Sequence, residues 1–234
     1  MFNSKTTTND YIFLIVTHEC TKRCPFCIDS ERGKKEYITL ANVKKAIDYC
    51  IDNNVGTITV LGGEPTCHSD IIDICRLIKS YGLNIVMTTN YMNPVVVKAL
   101  DGIVDSFNIS HYDQDVLPKQ EDFKSDLTLS KLLIKDDIDT KEKLDAFIDT
   151  YQNDFNDIKF STLTDINEFT RTHKDLPFLN DLLIDRKVTI MGEIEGHYYR
   201  GYLIKRFDIK ATDNYYCQRS MKMHVNGILK RTWV

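Results

Sequence analysis

The sequence predicts an α/β protein: a mostly parallel sheet built from strand–helix units, with a short β-rich stretch at the end. Three observations carry this. Short β-rich apolar runs alternate with stretches of helical periodicity from Tyr11 to Leu183. Six such strands can be counted, too few for a closed eight-stranded barrel. After Asp185 the helical period gives way to paired β-rich runs.

Tyr11–Val16 is an uninterrupted apolar run and reads as a buried strand. A charged stretch from Asp29 to Tyr37 precedes a helix in which Leu40, Val43, Ala46, Ile47, Cys50 and Ile51 share one face, with Thr39 as N-cap. Thr57–Leu61 is the second strand, and Ile71, Ile74, Cys75 and Ile78 mark a helix closed by Gly82. Asn84–Thr88 is the third strand, and Asn93-Pro94 opens a helix through Leu100, with proline in the first turn. Val104–Ile109 and Leu127–Ile134 are the next strands. Leu144, Phe147, Ile148 and Tyr151 define a helix, Ile158–Ser161 the sixth strand, and Phe178–Leu183 a last short helix. Beyond it, Val188–Glu195 and His197–Phe207 read as two strands around Gly196, and Met221–Val225 and Ile228–Trp233 as a hairpin joined by Asn226-Gly227. The expected division is a core over 1–185 and a β-hairpin extension over 186–234 packed on it.

The chain has 234 residues, 42% of them hydrophobic, enough for one sizeable core. Its formal net charge of −4 does not leave the basic footprint of a nucleic-acid binder. No apolar run reaches the length of a membrane span, residues 1–10 carry no targeting pattern, and seven cysteines without disulfide-like context point to a reducing cytoplasm.

The chemistry concentrates after the first strand. Cys20, Cys24 and Cys27 stand in a Cys-x3-Cys-x2-Cys spacing, and the next cysteine is Cys50. Three thiolates can hold a cubane while leaving one iron without a protein ligand, since full ligation takes four cysteines. A structural zinc site using His18 as a further ligand is the alternative, although the second ligand pair such a site usually brings is missing. After the second strand, Gly62-Gly63-Glu64-Pro65 combines glycines that permit close approach to the backbone with an acceptor suited to an ammonium group. The third strand ends in Thr88-Thr89-Asn90. The fourth ends in Asn108-Ile109-Ser110, where alternation puts Asn108 and Ser110 on one face. Strand ends of this kind form the ligand-binding rim of α/β folds.

The cysteine loop, with Phe26 just before its last cysteine, resembles the signature of the radical S-adenosylmethionine (SAM) enzymes, and Gly62-Gly63-Glu64 resembles their amino-group motif. The style of the motifs is similar to the molybdenum-cofactor-biosynthesis and peptide-modifying clade. The resemblance implies a partial (β/α)6 barrel, a 4Fe-4S cluster on Cys20, Cys24 and Cys27, and SAM chelating the fourth iron. It further implies SAM contacts from Phe26, Gly62, Gly63, Glu64, Pro65, Asn90, Asn108 and Ser110, with apolar groups such as Ile134 near the adenine. The implied activity is reductive cleavage of SAM to a 5′-deoxyadenosyl radical, which abstracts hydrogen from a peptide, nucleotide or small metabolite.

Two other functions stay open from the residues alone: a glycyl-radical-enzyme activase, whose loop typically continues Asn-Pro where this chain has Ile28-Asp29, and a non-catalytic iron–sulfur regulator or electron-transfer protein. His111, after Ser110, replaces the family's usual apolar residue and is either a solvated side chain or a substrate contact. Lys22, Arg23, Lys34 and Lys35 form a basic patch suited to an acidic electron donor such as flavodoxin or ferredoxin. Cys50 and Cys75 fall on apolar helix faces, while Cys67 and Cys217 are the spare thiols that can serve as hydrogen donors to a substrate radical.

Overall fold

The computed structural model describes residues 11–112, 116–182, 184–190, 194–206 and 220–231. Residues 11–173 are organised as a run of βα units. Strands β1 (Tyr11–Ile15), β2 (Thr57–Leu61), β3 (Asn84–Thr89), β4 (Ser106–Ser110), β5 (Asp126–Leu132) and β6 (Asp157–Ser161) are parallel and adjacent in sequence order. Helices α1 (Leu40–Asp52), α2 (Ile71–Ser80), α3 (Pro94–Leu100), α4 (Lys141–Tyr151) and α5 (Glu168–His173) intervene. Between β4 and β5 the described residues hold a 3-10 turn, Gln120–Asp122, instead of a helix. The helix starts obey the local chemistry read from the sequence: Thr39, Asn93 and Thr140 each accept a backbone N–H of the first turn. Gly82, at φ +74°, follows α2.

The remaining strands join both edges of the same sheet. β7 (Arg186–Ile190), β8 (Ile194–Tyr199) and β9 (Tyr202–Arg206) form an antiparallel meander whose last strand runs parallel to β6. β10 (Ser220–Met223) lies parallel to β1 and pairs antiparallel with β11 (Leu229–Lys230). The resulting order is β11-β10-β1-β2-β3-β4-β5-β6-β9-β8-β7. The sheet is not closed, as a partial barrel requires.

Several expectations are corrected. The helix anticipated over Phe178–Leu183 is a 3-10 turn, Pro177–Asn180, and the helical segment in this region is α5, six residues long and started by a capping box between Asn167 and Thr170. Gly196 is not a turn: it sits inside β8 opposite Val188 and Lys205. The reversal lies at Arg200-Gly201, both at positive φ (+51° and +81°). The Asn226-Gly227 hairpin is present, closed by the His224 N–H on the Ile228 carbonyl at 3.0 Å, and Asn42 of α1 ties it down by donating to the Val225 carbonyl at 3.2 Å.

The two faces of the sheet differ, and this positions the site. On the outer face Ile12, Leu14, Ile58, Val60, Ile85, Met87, Phe107, Ile109, Ile158 and Phe160 are 0% exposed beneath the helices. Burial of each such side chain contributes about 1.5–3 kcal/mol. The alternate residues Thr88, Asn108, Ser110, Ser130, Lys159 and Ser161 face the other way and are only half-buried. A parallel sheet is usually buried on both faces; here the inner face is polar and lines a space.

Candidate cofactor and substrate site

The cysteine loop leaves β1 and is pinned at its stem. The Val16 N–H donates to the Leu61 carbonyl at 2.9 Å, and the Thr17 hydroxyl donates to the Glu36 carbonyl at 2.8 Å. The loop then crosses the turn after β2. The Gly63 and Glu64 N–H groups donate to the Thr17 and Glu19 carbonyls, both at 2.7 Å. A Cβ on Gly62 would stand 2.3 Å from the Thr17 oxygen, and one on Gly63 would stand 2.2 Å from the Glu19 oxygen. The paired glycines therefore admit the chain's own cysteine loop, a close backbone approach that no side chain permits.

Glu64 is 1% exposed. Its carboxylate accepts the Thr66 N–H (3.1 Å), the Thr66 hydroxyl (2.7 Å), the Thr89 hydroxyl (2.7 Å) and the Asn90 N–H (2.7 Å). It thereby locks the end of β2 to the end of β3. Asn90 in turn reaches the cysteine loop, its side-chain amide 3.8 Å from the Cys20 sulfur and 3.4 Å from the Thr21 hydroxyl. The Lys22 N–H also points at the Cys20 sulfur, at 3.4 Å. His18, buried, engages Asp29 through Nδ1 at 3.0 Å.

Cys20, Cys24 and Cys27 are all free and half-buried on this loop. Among the described residues no three His, Cys, Asp or Glu side chains converge on a single-ion site. Beside the loop is a cavity of about 420 Å³, in the size range of small-molecule sites. Its wall combines Phe26 and Cys27 with Gly62, Gly63, Thr88 and Ser110, and Ile15, Leu61, Leu132 and Leu163 supply apolar surface. A second cavity of about 210 Å³ adjoins it, sharing Ser110, Tyr112, Leu132 and Ser161.

Of the residues singled out in the sequence, Phe26, Cys27, Gly62, Gly63 and Ser110 thus meet on one wall. Cys20 and Cys24 belong to the same loop. Glu64 and Asn90 bond to each other beneath it, Pro65 and Cys67 sit in the 3-10 turn that follows Glu64, and Asn108 lies two residues before Ser110 on the same face. Cys217 falls outside the described residues. Leu132, not Ile134, is the β5 residue on the cavity wall, because the strand ends there. His111 is not a solvated loop side chain. It is half-buried, with Nε2 3.3 Å from the Tyr151 hydroxyl, Nδ1 3.3 Å from Lys131 Nζ, and its ring edge-on to Phe147 at 5.0 Å.

The sequence reading missed Tyr112. Its ring stacks on Phe26 with centroids 5.7 Å apart and planes 6° from parallel, and Phe169 of α5 packs against Phe26 in a tilted arrangement at 6.3 Å. Burial, with Cys24 beside it, pushes the Tyr112 phenol well above its ordinary range. The signal was present: Tyr112 continues the inward alternation of Asn108 and Ser110.

Comparison with known proteins agrees with this arrangement. A family model described as the radical SAM superfamily matches residues 14–112. The chain is 32% identical over 87 residues to GTP 3′,8-cyclase of Campylobacter fetus, covering 35% of this chain and 27% of that protein. It is 31% identical over 110 residues to the mitochondrial GTP 3′,8-cyclase of Arabidopsis thaliana, covering 43% of this chain and 28% of that one. The match thus spans about a quarter of the length of these curated relatives. Among solved structures, Streptococcus suis SuiB bound to its precursor peptide SuiA superposes with a TM-score of 0.57 at 15% identity, over 72% of this chain and 43% of that chain. SuiB bound to S-adenosylmethionine gives 0.53 at 15% identity, over 70% and 43%. Residues 14–112, which carry the cysteine loop and the paired glycines, are thus similar to the radical SAM superfamily, and the open parallel sheet shares the fold of SuiB.

Proposed function

We propose that this chain is a radical SAM enzyme that holds one 4Fe-4S cluster on Cys20, Cys24 and Cys27 and binds SAM in the 420 Å³ cavity beside them. The observation that carries the reading is that Cys27, Gly62, Gly63 and Ser110, drawn from three different strand ends, open on one cavity. The residues present fit the pair of cofactors. Three thiols on one loop match three corners of a cubane, with N–H groups of Lys22 and Asn90 aimed at the Cys20 sulfur, where they favour a charged ligand. When bound, the pair supplies a 5′-deoxyadenosyl radical that abstracts hydrogen from the substrate.

The protein's own groups bind and orient. The cavity-facing backbone of Gly62 and Gly63 receives the amino end of SAM, with Glu64 fixing that turn from below. The Ser110 hydroxyl contacts its polar part, and Phe26, Leu132 and Leu163 shelter the adenosine from water. Asn90 orients the cluster loop through Cys20 and Thr21. Lys22, Arg23, Lys34 and Lys35, on or beside that loop, form the docking face for an acidic one-electron donor of the flavodoxin or ferredoxin type. No helix among the described residues is long and apolar enough to cross a membrane; a reducing cytoplasm is the proposed home.

Anaerobic reconstitution tests the reading. About four irons per chain are expected, with slow cleavage of SAM to methionine and 5′-deoxyadenosine after reduction. A variant with all three cysteines changed to alanine that retains iron and colour overturns it.

A further inference from the structure

The inner face of the sheet carries lysines where the outer face carries core. The strand registers align Ser110, Ser130 and Lys159 across β4, β5 and β6, and Leu132, Ser161 and Lys205 across β5, β6 and β9. Register partners in a parallel sheet share a face. Phe160 and Ile204, which alternate with the two lysines, are 0% and 2% exposed on the opposite side. Lys159 and Lys205 therefore project to the face of Ser110 and Ser161, which line the cavity. Gly196, paired with Lys205 on β8, has no side chain to cover it.

Among the described residues, Lys159 and Lys205 share one acidic neighbour, Asp157, which pairs with Lys159 at 3.7 Å. Lys205 is half-buried, with neither a hydrogen-bond acceptor nor an ion-pair partner for its ammonium among the described residues. Burial, then repulsion from Lys159, lowers its pKa, and Asp157 offsets this only in part. An ammonium withdrawn from water without a partner is costly, and two beside one carboxylate leave a net positive charge next to the Ser130 and Ser161 hydroxyls.

We propose that Lys159 and Lys205, with the Ser130 and Ser161 hydroxyls, form a subsite for an anionic group of the substrate, a phosphate or a carboxylate. The subsite lies next to the radical-generating cavity, so it holds one end of a substrate whose reacting carbon faces that cavity. It depends on the proposed function only in that its ligand is named a substrate group.

The test is competitive acetylation of the anaerobically reconstituted full chain, read lysine by lysine by mass spectrometry, with pyrophosphate and tricarballylate as probes at matched ionic strength. Lys205 should be labelled early and be protected saturably. Protection by pyrophosphate alone identifies a phosphate site, and protection by tricarballylate alone a carboxylate site. In Lys159→Met the probe concentration needed for protection should rise about tenfold or more, as expected on losing a charge-assisted contact, and Lys159→Arg should restore most of it. SAM cleavage is measured on the same samples. Protection without SAM cleavage keeps the anion subsite and removes the enzymatic reading. SAM cleavage with Lys205 protected by neither probe, or protected equally by chloride, overturns the subsite, and the wild-type measurement alone decides this if Lys159→Met does not fold.

Discussion

The carboxylate of Glu64 accepts the backbone N–H of Asn90 at 2.7 Å, and through it the end of β2 is fixed to the end of β3 and to the cysteine loop. Three further donors from Thr66 and Thr89 complete the carboxylate. Its position under the turn makes it a positioning residue, and this yields the first prediction. Glu64→Gln replaces one accepting oxygen with an amide donor that must face N–H or O–H groups. The expected cost is about 1.5–3 kcal/mol of stability, as for losing a hydrogen bond to a charged group in a buried site, read as a lower Tm. SAM affinity, measured by equilibrium dialysis, should fall in parallel. A fall in SAM affinity at unchanged Tm would point instead to a direct contact between Glu64 and the ammonium of SAM. No change in either would refute both roles.

How much of this was legible in the sequence depends on the range of the interaction. Thr39, Asn93 and Gly82 act within a turn of their own helices, and each stands where its residue type predicts. The six parallel strands follow from period alone. What period does not reveal is a strand's partner: the runs after Asp185 read as a hairpin extension packed on the core, and their described strands extend the sheet at both edges, beside β1 and β6. Gly196 looked like a reversal because glycine is rare inside strands, while the reversal at Arg200-Gly201 was hidden by an arginine at positive φ. At the site, the motif residues were visible, but the reason for the paired glycines was not. The Thr17 and Glu19 carbonyls that crowd them come from a segment more than forty residues away in sequence. The stacking of Tyr112 on Phe26 is likewise a meeting of two strand ends distant along the chain.

Asp101 supplies a prediction away from the site. Its carboxylate accepts the Lys124 N–H (2.9 Å), the Ser125 N–H (3.0 Å) and the Ser125 hydroxyl (3.1 Å), and pairs with Lys98 at 3.0 Å. Burial alone would raise its pKa, but these donors outweigh it and hold the group below its ordinary value. A carboxylate whose pKa is lower folded than unfolded stabilises the protein above the unfolded value of about 3.9. That contribution is complete by about pH 5 and is lost as pH falls through the folded pKa. Asp101→Asn should therefore lower stability at neutral pH by about 2 kcal/mol and flatten the acid limb of stability against pH. Urea titrations at a series of pH values check both. Parallel pH profiles for the two proteins would remove Asp101 from the account.

The last prediction concerns the end of the reaction. A substrate radical can be quenched by a hydrogen atom from a neutral thiol, and two cysteines are spare for this, Cys67 and Cys217, the latter outside the described residues. Cys50 and Cys75 are excluded by place: both are 0% exposed in the helix-packed core, where burial pushes their thiols up to about 12. Cys67 is half-buried in the turn after Glu64, its N–H on the Glu64 carbonyl at 3.0 Å. Burial first, then Glu64, Glu19 and Cys20, pushes its thiol up to about 11, so it stays protonated through the physiological range, as a hydrogen-atom donor must. It is not among the residues on the cavity wall, so a donor role requires the substrate to extend beyond that wall. If Cys67 is the donor, Cys67→Ala keeps full iron content and wild-type SAM cleavage but loses product or diverts it. The thiol proton exchanges with solvent, so wild-type product formed in D2O carries one deuterium at the carbon that lost hydrogen, and residual product from the variant carries it with scrambled stereochemistry. Normal yield and stereochemistry from Cys67→Ala and from Cys217→Ala would leave both cysteines as packing residues and assign the final hydrogen to another source.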